Sequence, residues 1–285
     1  MSRIFESEPY RSDMALLREK YGAREWNAMS RMLADYLSRN EKSKGGVGWS
    51  QIVSRLMDDE PLQYILGETW FYGMRLSVND SVLIPRPETE ELVNWAIQWV
   101  KFQGLENGHA VDWGTGSGCI ALALKKACPS WRVTARDVST EALDTAKRNA
   151  FQNSMLLDFE LRSLTDDLPE GQSQVELILS NPPYIPFGER AVMPPNVLRF
   201  EPPLALFTPG KDPLIFYRYL EKRAAEELLP DGVMIMEINE FRASATELIF
   251  RENKWHTKLA KDLSRKCRML MVARTPDRLV NYRPF

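Results

Sequence analysis

The run Ser180-Asn181-Pro182-Pro183-Tyr184-Ile185 follows directly on Leu177-Ile178-Leu179, whose unbroken apolar character reads as a buried strand. Two prolines fix the backbone here, and their missing N–H groups leave a carbonyl turned outward rather than spent in a ladder. Asn181 adds a side-chain carbonyl. Asn181 Oδ1 and the Pro182 backbone carbonyl can therefore accept both hydrogens of a planar NH2 group, with the Tyr184 ring able to stack on its plane. This is chemistry for an amide or amino nitrogen. A strand-terminating loop with Asn as a turn residue is the alternative for Asn-Pro-Pro alone; Tyr184 and a glycine loop upstream weigh against it.

That glycine loop is Val111-Asp112-Trp113-Gly114-Thr115-Gly116-Ser117-Gly118, between a strand and a helix. Glycines let the backbone pass close to a ligand, and the helix that follows offers unsatisfied N–H groups. No Gly-Lys-Ser/Thr follows, which excludes a P-loop, and the G-x-G-x-G spacing differs from that of nicotinamide binding. Asp137 ends the next strand about twenty residues further on, where a carboxylate can accept both ribose hydroxyls of an adenosine-type ligand. Loop and carboxylate together indicate a nucleoside cofactor. A tight strand-to-helix turn, with Asp137 capping the next helix, is the other reading.

The elements that must position these residues follow from periodicity. Residues 1–66 read as helical: Met14, Leu16, Leu17 and Tyr21 form one stripe ended by Gly22, then Trp26, Met29, Met32, Leu33 and Tyr36 form another. Lys44-Gly45-Gly46-Val47-Gly48 breaks the pattern before Ile52, Val53, Leu56 and Met57. The stripes are core rather than a recognition surface. Residues 68–85 read as a β-hairpin connector, from Trp70-Phe71-Tyr72 through a Gly73 turn to Val82-Leu83-Ile84. Beyond it helices (Glu91 to Val100, Ile120 to Cys128, Thr140 to Ala150) alternate with strands (Ala110 to Asp112, Arg132 to Asp137, Leu177 to Ser180, Val233 to Ile238). That alternation predicts an α/β fold, a parallel sheet with helices on both faces. The expected domains are 1–67, 68–85 and 86–285.

The 285 residues carry 37 Lys and Arg against 39 Asp and Glu, a formal charge of −2, so no global positive field exists to hold a phosphate backbone. The helical segment is itself neutral, a poor DNA reader. Cys119, Cys128 and Cys267 fit no ligand spacing, and only His109 and His256 accompany them, so neither a disulfide framework nor a metal site is expected. Both histidines read as structural or surface residues. No apolar stretch approaches a membrane span and Met1 to Glu8 lack the apolar core of a signal peptide; the expectation is a cytoplasmic protein without membrane contact.

The Asn-Pro-Pro-Tyr run resembles that of class I S-adenosylmethionine-dependent methyltransferases that act on planar NH2 nitrogens. Within that group the chain resembles the release-factor glutamine methyltransferases, the HemK/PrmC family. Pro61-Leu62-Gln63-Tyr64-Ile65-Leu66-Gly67, Leu83-Ile84-Pro85-Arg86-Pro87-Glu88-Thr89-Glu90, the glycine loop and Asn181 to Ile185 occur in the family's order. Glu201-Pro202, Ala205-Leu206 and Lys261-Asp262-Leu263-Ser264 are similar too. The resemblance implies a small helical substrate-docking domain, a hairpin connector and a Rossmann-like, seven-stranded catalytic domain. It implies methyl transfer to the side-chain amide of the glutamine in the Gly-Gly-Gln motif of peptide chain release factors, a protein methylation in translation termination. It also implies S-adenosyl-L-methionine as cofactor, with Asp112, Gly114, Thr115, Gly116, Ser117, Gly118, Asp137, Ser163, Leu164 and Asn181 around it. Asn181, Pro182, Pro183 and Tyr184 would hold the substrate amide. A monomer is expected, with no nucleic acid required.

Trp113 stands where the family usually has Leu, Arg136 where a small apolar residue is common, and Arg162-Ser163-Leu164 where an acidic segment lies near the adenine. Asn239-Glu240 replaces a common Gly. Arg86 and Glu88 would either orient a substrate loop or cap the next helix, and Glu201-Pro202-Pro203 would shape a loop over the site or form a plain turn. Two other functions compete: an amino-group methyltransferase for adenine or cytosine in DNA or RNA, since a flipped base presents the same planar donor, and a non-catalytic cofactor-binding partner protein. The first needs a basic track, and none is visible.

Overall fold

The computed structural model describes residues 10–40, 46–169 and 174–283. The expectations for Met1 to Glu8 and for Lys44-Gly45 lie outside these. The chain divides into two compact units, Met1–Glu68 with Pro195–Phe200, and Thr69–Pro194 with Glu201–Phe285.

The first unit is helical, with α1 (Tyr10–Asn40), α2 (Trp49–Met57) and α3 (Leu62–Leu66). Gly22 (φ 74°, ψ 163°) breaks α1 into two helical runs, a left-handed position that an L side chain resists. Leu17, Trp26, Leu33, Ile52 and Leu56, all fully buried, form its core, each contributing about 1.5–3 kcal/mol. The Lys20 ammonium and the Tyr21 hydroxyl both donate to the Leu56 carbonyl, at 3.0 and 2.6 Å, and tie α1 to the end of α2. Arg199 pairs bidentately with Asp58 within the same unit.

The second unit begins with the hairpin β1 (Glu68–Phe71) and β2 (Met74–Ser77). Pairing stops at Ser77 rather than running to Ile84, because Asn79 forms an Asx turn: its side chain accepts from Ser81 N (3.1 Å) and its carbonyl from Val82 N (3.2 Å). Then follow α4 (Pro87–Gln103), β3 (His109–Trp113), α5 (Cys119–Ala127), β4 (Arg132–Asp137), α6 (Thr140–Gln152), β5 (Asp158–Leu161) and β6 (Val175–Ser180). The short β7 (Ile185–Pro186) precedes α7 (Pro195–Phe200), which belongs to the first unit, and α8 (Pro203–Leu206) leads into β8 (Phe207–Thr208). The chain ends with α9 (Ile215–Glu227), β9 (Leu228–Glu237), α10 (Ala243–Glu252), β10 (His256–Lys261) and β11 (Cys267–Ala273).

Seven strands form one sheet, ordered β10-β11-β9-β6-β3-β4-β5. It is mixed, not wholly parallel: β11 runs antiparallel to both β9 and β10. The cause is local. Only Asp262 to Lys266 join β10 to β11, a connection too short for the crossover that parallel strands need. The turn is closed by Asp262, which accepts from Lys266 N at 2.8 Å, and docked by Leu263 N on the buried Glu91 carboxylate of α4 at 3.1 Å.

Alternation sorts the strands onto two cores. Ala110, Leu177, Leu179, Val233 and Ile235 face α4 and α5, whereas Val111, Trp113, Ile178, Met234 and Met236 face α9 and α10. Across the second face, Met236, Ser180, Trp113, Arg136 and Glu160 are successive register partners on β9, β6, β3, β4 and β5. One residue further along the chain, the strands give way to the loops that make the site. No helix among the described residues is long and apolar enough to cross a membrane.

Candidate active site

A cavity of about 350 Å³ opens at the carboxyl ends of β3, β4 and β6, where strand order reverses: the chain runs from β3 to β4 and β5 on one side, then returns to β6 on the other side of β3. This switch point is where open α/β sheets bind ligands. Gly114, Thr115, Gly116 and Ser117 line it, as do Asp137, Ser163, Leu164, Asn181 and Pro183. Asp112, Gly118, Pro182 and Tyr184 stand behind that wall.

The glycine loop is held from beneath. Asp112, 1% exposed, accepts from the Thr115 hydroxyl at 2.6 Å and from Ala121 N at 3.3 Å, and burial lifts its carboxyl to about 7. Gly116 (φ 53°) turns its N–H onto Asp137 Oδ2 at 2.8 Å. At Gly118 (φ 80°) a Cβ would sit 3.1 Å from Ala146 Cβ, so glycine there lets the start of α5 approach α6. Asp137 Oδ1 accepts from Ser139 N at 2.9 Å, and burial raises its carboxyl above the ordinary range. With two of about four lone-pair positions used, that carboxylate keeps capacity for two more donors. Asp112 Oδ1 and Ser117 Oγ are buried with no partner among the described residues.

The Asn181 amide is oriented by a chain of bonds. Thr89, in the first turn of α4, gives its only hydroxyl hydrogen to Glu237 Oε2 at 2.8 Å, and its lone pair then accepts from Asn181 Nδ2 at 3.1 Å. Asn181 Oδ1, to which no described residue donates, is left as the acceptor. Glu237, 2% exposed at the end of β9, also accepts from the Tyr184 hydroxyl at 3.1 Å, and burial raises its carboxyl. Tyr184 packs against the core beneath the sheet. One carboxylate thus fixes both ends of the Asn-Pro-Pro-Tyr run.

On the other side, residues 162–166 fold on themselves. Ser163 N donates to Asp166 Oδ2 at 2.8 Å, while Ser163 Oγ lies 2.8 Å from Thr165 Oγ1 and accepts from Thr165 N at 3.2 Å. Arg162 N donates to the Asp137 carbonyl at 2.8 Å.

Residues 97–193 match the methyltransferase small domain family. A release factor glutamine methyltransferase of Flavobacterium psychrophilum is 42% identical over 228 residues, 79% of each chain, and one of Streptococcus pneumoniae is 41% identical over 78% of this chain and 77% of its own. This chain belongs to the release factor glutamine methyltransferase family. Solved structures agree on the fold: a Pyrococcus furiosus methyltransferase aligns with TM-score 0.52 at 19% identity, covering 71% of this chain and 89% of its own. A T. thermophilus 16S rRNA methyltransferase in complex with AdoMet and guanosine aligns with TM-score 0.53 at 15% identity, covering 73% and 50%. The release factor glutamine methyltransferases are class I enzymes, and S-adenosylmethionine is the cofactor.

In this family member Arg86 both opens α4 and pairs with the buried Glu201 at 2.5 Å, beside the cavity that Arg86 and Pro202 line. Thr89 and Glu237 are the residues that sequence reasoning missed. Glu237 left a trace, an acidic residue directly after the apolar run Val233 to Met236, where burial demands a partner. Cys119 lines the cavity, but burial pushes its thiol up to about 12, which leaves a small neutral side chain. His109 sits at the opposite end of β3, 2.8 Å from Thr134 Oγ1, and burial lowers its pKa.

Proposed function

We propose that the chain transfers the methyl group of S-adenosylmethionine to the side-chain amide nitrogen of the glutamine in the Gly-Gly-Gln motif of peptide chain release factors. The observation that carries this reading is the orientation of Asn181, which lines the cavity: Thr89 takes its NH2, which leaves Oδ1 as the acceptor. Residues 1–67 serve as the substrate-docking domain, 68–85 as connector and 86–285 as the catalytic domain. The enzyme works as a cytoplasmic monomer, where its substrate is found.

The residues present suit the cofactor. Asp137 retains two acceptor positions for ribose hydroxyls, and Asp112 Oδ1 and Ser117 Oγ supply unspent polar atoms beside the Gly114 to Gly118 backbone. Ser163 and Leu164, which line the cavity, would border its nucleobase. When bound, the cofactor supplies a methyl group made electrophilic by its sulfonium. Amide nitrogen is a poor nucleophile because its lone pair is delocalised. Asn181 Oδ1 and the Pro182 carbonyl, by accepting from both N–H groups, draw density onto nitrogen and turn its lone pair toward the methyl carbon. Alignment of this kind can supply up to about 7–11 kcal/mol of the barrier. Methyl transfer would leave the nitrogen with one acidic proton that water could take, so the role of Asn181 and Pro182 is to hold and orient the amide and no side-chain base is required.

The test is methyl-labelled S-adenosylmethionine offered with a release factor, with the same factor lacking its Gly-Gly-Gln glutamine, and with duplex and single-stranded nucleic acid. Label on the intact factor alone is the expected result. Label on nucleic acid with none on either factor would overturn the reading.

A further inference from the structure

Two side chains and one loop at which this chain departs from its family's pattern, Trp113, Arg136 and the segment 162–164, meet in one connected cluster. Trp113, which borders the cavity, and Arg136 are register partners on β3 and β4, and the Arg136 guanidinium carbon lies 4.7 Å from the Trp113 ring centroid. Arg136 donates to Glu227 Oε2, and Trp113 Nε1 donates to Glu227 Oε1 at 3.2 Å. Arg223, one helical turn before Glu227 on α9, lies over the same ring at 5.7 Å. Arg136, Arg223 and Glu227 are all 0% exposed, so the donors of the two arginines and the acceptors of Glu227 all need partners inside the protein.

Arg223 spends its donors on the third departure. Its Nε and Nη2 reach the Leu164 carbonyl at 3.1 and 3.0 Å, Nη2 also reaches the Asp166 carbonyl, and Nη1 reaches Glu226 at 2.8 Å. The guanidinium fork thus brackets two backbone carbonyls of the 162–166 loop from below, while Ser163 and Leu164 line the cavity above. A lysine has no planar fork and could not span both carbonyls with the same geometry.

We infer that Arg223 is a positioning residue for the cofactor's nucleobase: it holds the 162–166 loop in place, with Trp113, Arg136 and Glu227 fixing its height under the sheet. The inference rests on the reading of this cavity as the S-adenosylmethionine site. A bracket of this kind governs cofactor affinity and leaves the methyl-transfer end alone.

The experiment is calorimetric binding of S-adenosylhomocysteine to the full chain and to Arg223→Met, with amide hydrogen exchange and steady-state kinetics on both. Arg223→Met, which keeps an unbranched apolar side chain at this buried position, should weaken binding tenfold or more and raise the KM for S-adenosylmethionine in parallel. Exchange should accelerate at 162–168 and not at 116–118. The kcat at saturating cofactor and the KM for release factor should stay within twofold. Arg223→Lys should fall between the two, and serves in place of Arg223→Met if that variant does not fold. Binding within twofold of the unaltered chain in a folded variant overturns the proposal, as does an equal loss in kcat and both KM values. Failure of the unaltered chain to bind S-adenosylhomocysteine would instead overturn the cofactor reading beneath it.

Discussion

The two ends of the cavity are built by different means. At the Asn181 end, an exposed acceptor is oriented from behind by neutral donors that converge on one buried carboxylate, Glu237. At the Ser163 end, backbone carbonyls are oriented from below by a buried cation, Arg223, inside a charged cluster. The first arrangement depends on which side chain occupies one position. The second depends on the path of a loop whose own side chains are spent on each other, so residues there can vary while the loop stays in place.

If that contrast holds, the largest effect comes from the acceptor itself. Asn181→Ala should lower kcat by about 10²–10³-fold, about 2.7–4 kcal/mol, as loss of a preorganised group does elsewhere. Cofactor binding by calorimetry should be near normal, and near-normal turnover would remove Asn181 from the chemistry. Next comes the hydroxyl that aims it. Thr89→Val leaves Glu237 one donor short and frees the Asn181 amide to rotate, which should cost about 1–3 kcal/mol in kcat. Thr89→Ser should restore most of it, and equal losses in the two variants would mean that Thr89 matters only for packing.

Between the two ends lies Asp112, where the effect is one of stability and pH. Burial lifts its carboxyl to about 7 from 3.8, so the folded chain holds this proton more tightly than the unfolded chain does. The stabilisation is full below the unfolded value and is lost as pH rises through about 7. Asp112→Asn should therefore flatten the fall in urea midpoint between pH about 4 and 7; an unaltered slope would contradict it. The smallest change belongs to the loop. Ser163→Ala removes a hydroxyl already engaged with Thr165 and should alter the KM for S-adenosylmethionine by less than about twofold, within the ±0.5 kcal/mol range of most surface changes. A loss of tenfold would show that Ser163 meets the nucleobase directly.

The same contrast explains what was legible in the sequence. Asn181 to Tyr184 and Gly114 to Gly118 are contiguous, so backbone restriction and turn chemistry announce them without a fold, and the strands that carry them appear as short apolar runs. Thr89 and Glu237 are 148 residues apart, and only the packing of α4 against the end of β9 brings them together. Arg223 is more hidden, because within Ile215–Glu227 it reads as one more charge on a helix face. The antiparallel β11 was missed for a similar reason: alternation of helices and strands predicts layers, whereas strand direction turned on the five-residue turn after Lys261.

The row in which Trp113, Arg136 and Glu160 stand side by side also constrains how this lineage could have changed. Replacing Arg136 alone by a small apolar residue would strand Glu227 without its ion partner, a loss of about 3–5 kcal/mol for a broken buried pair. Most domains have only about 5–15 kcal/mol to lose. The passable routes between this arrangement and an apolar one are those in which Glu227 is neutralised first or in the same step. Trp113, Arg136, Arg223 and Glu227 should therefore be gained and lost together in descendants and cousins of this chain, as one inherited block rather than four independent letters.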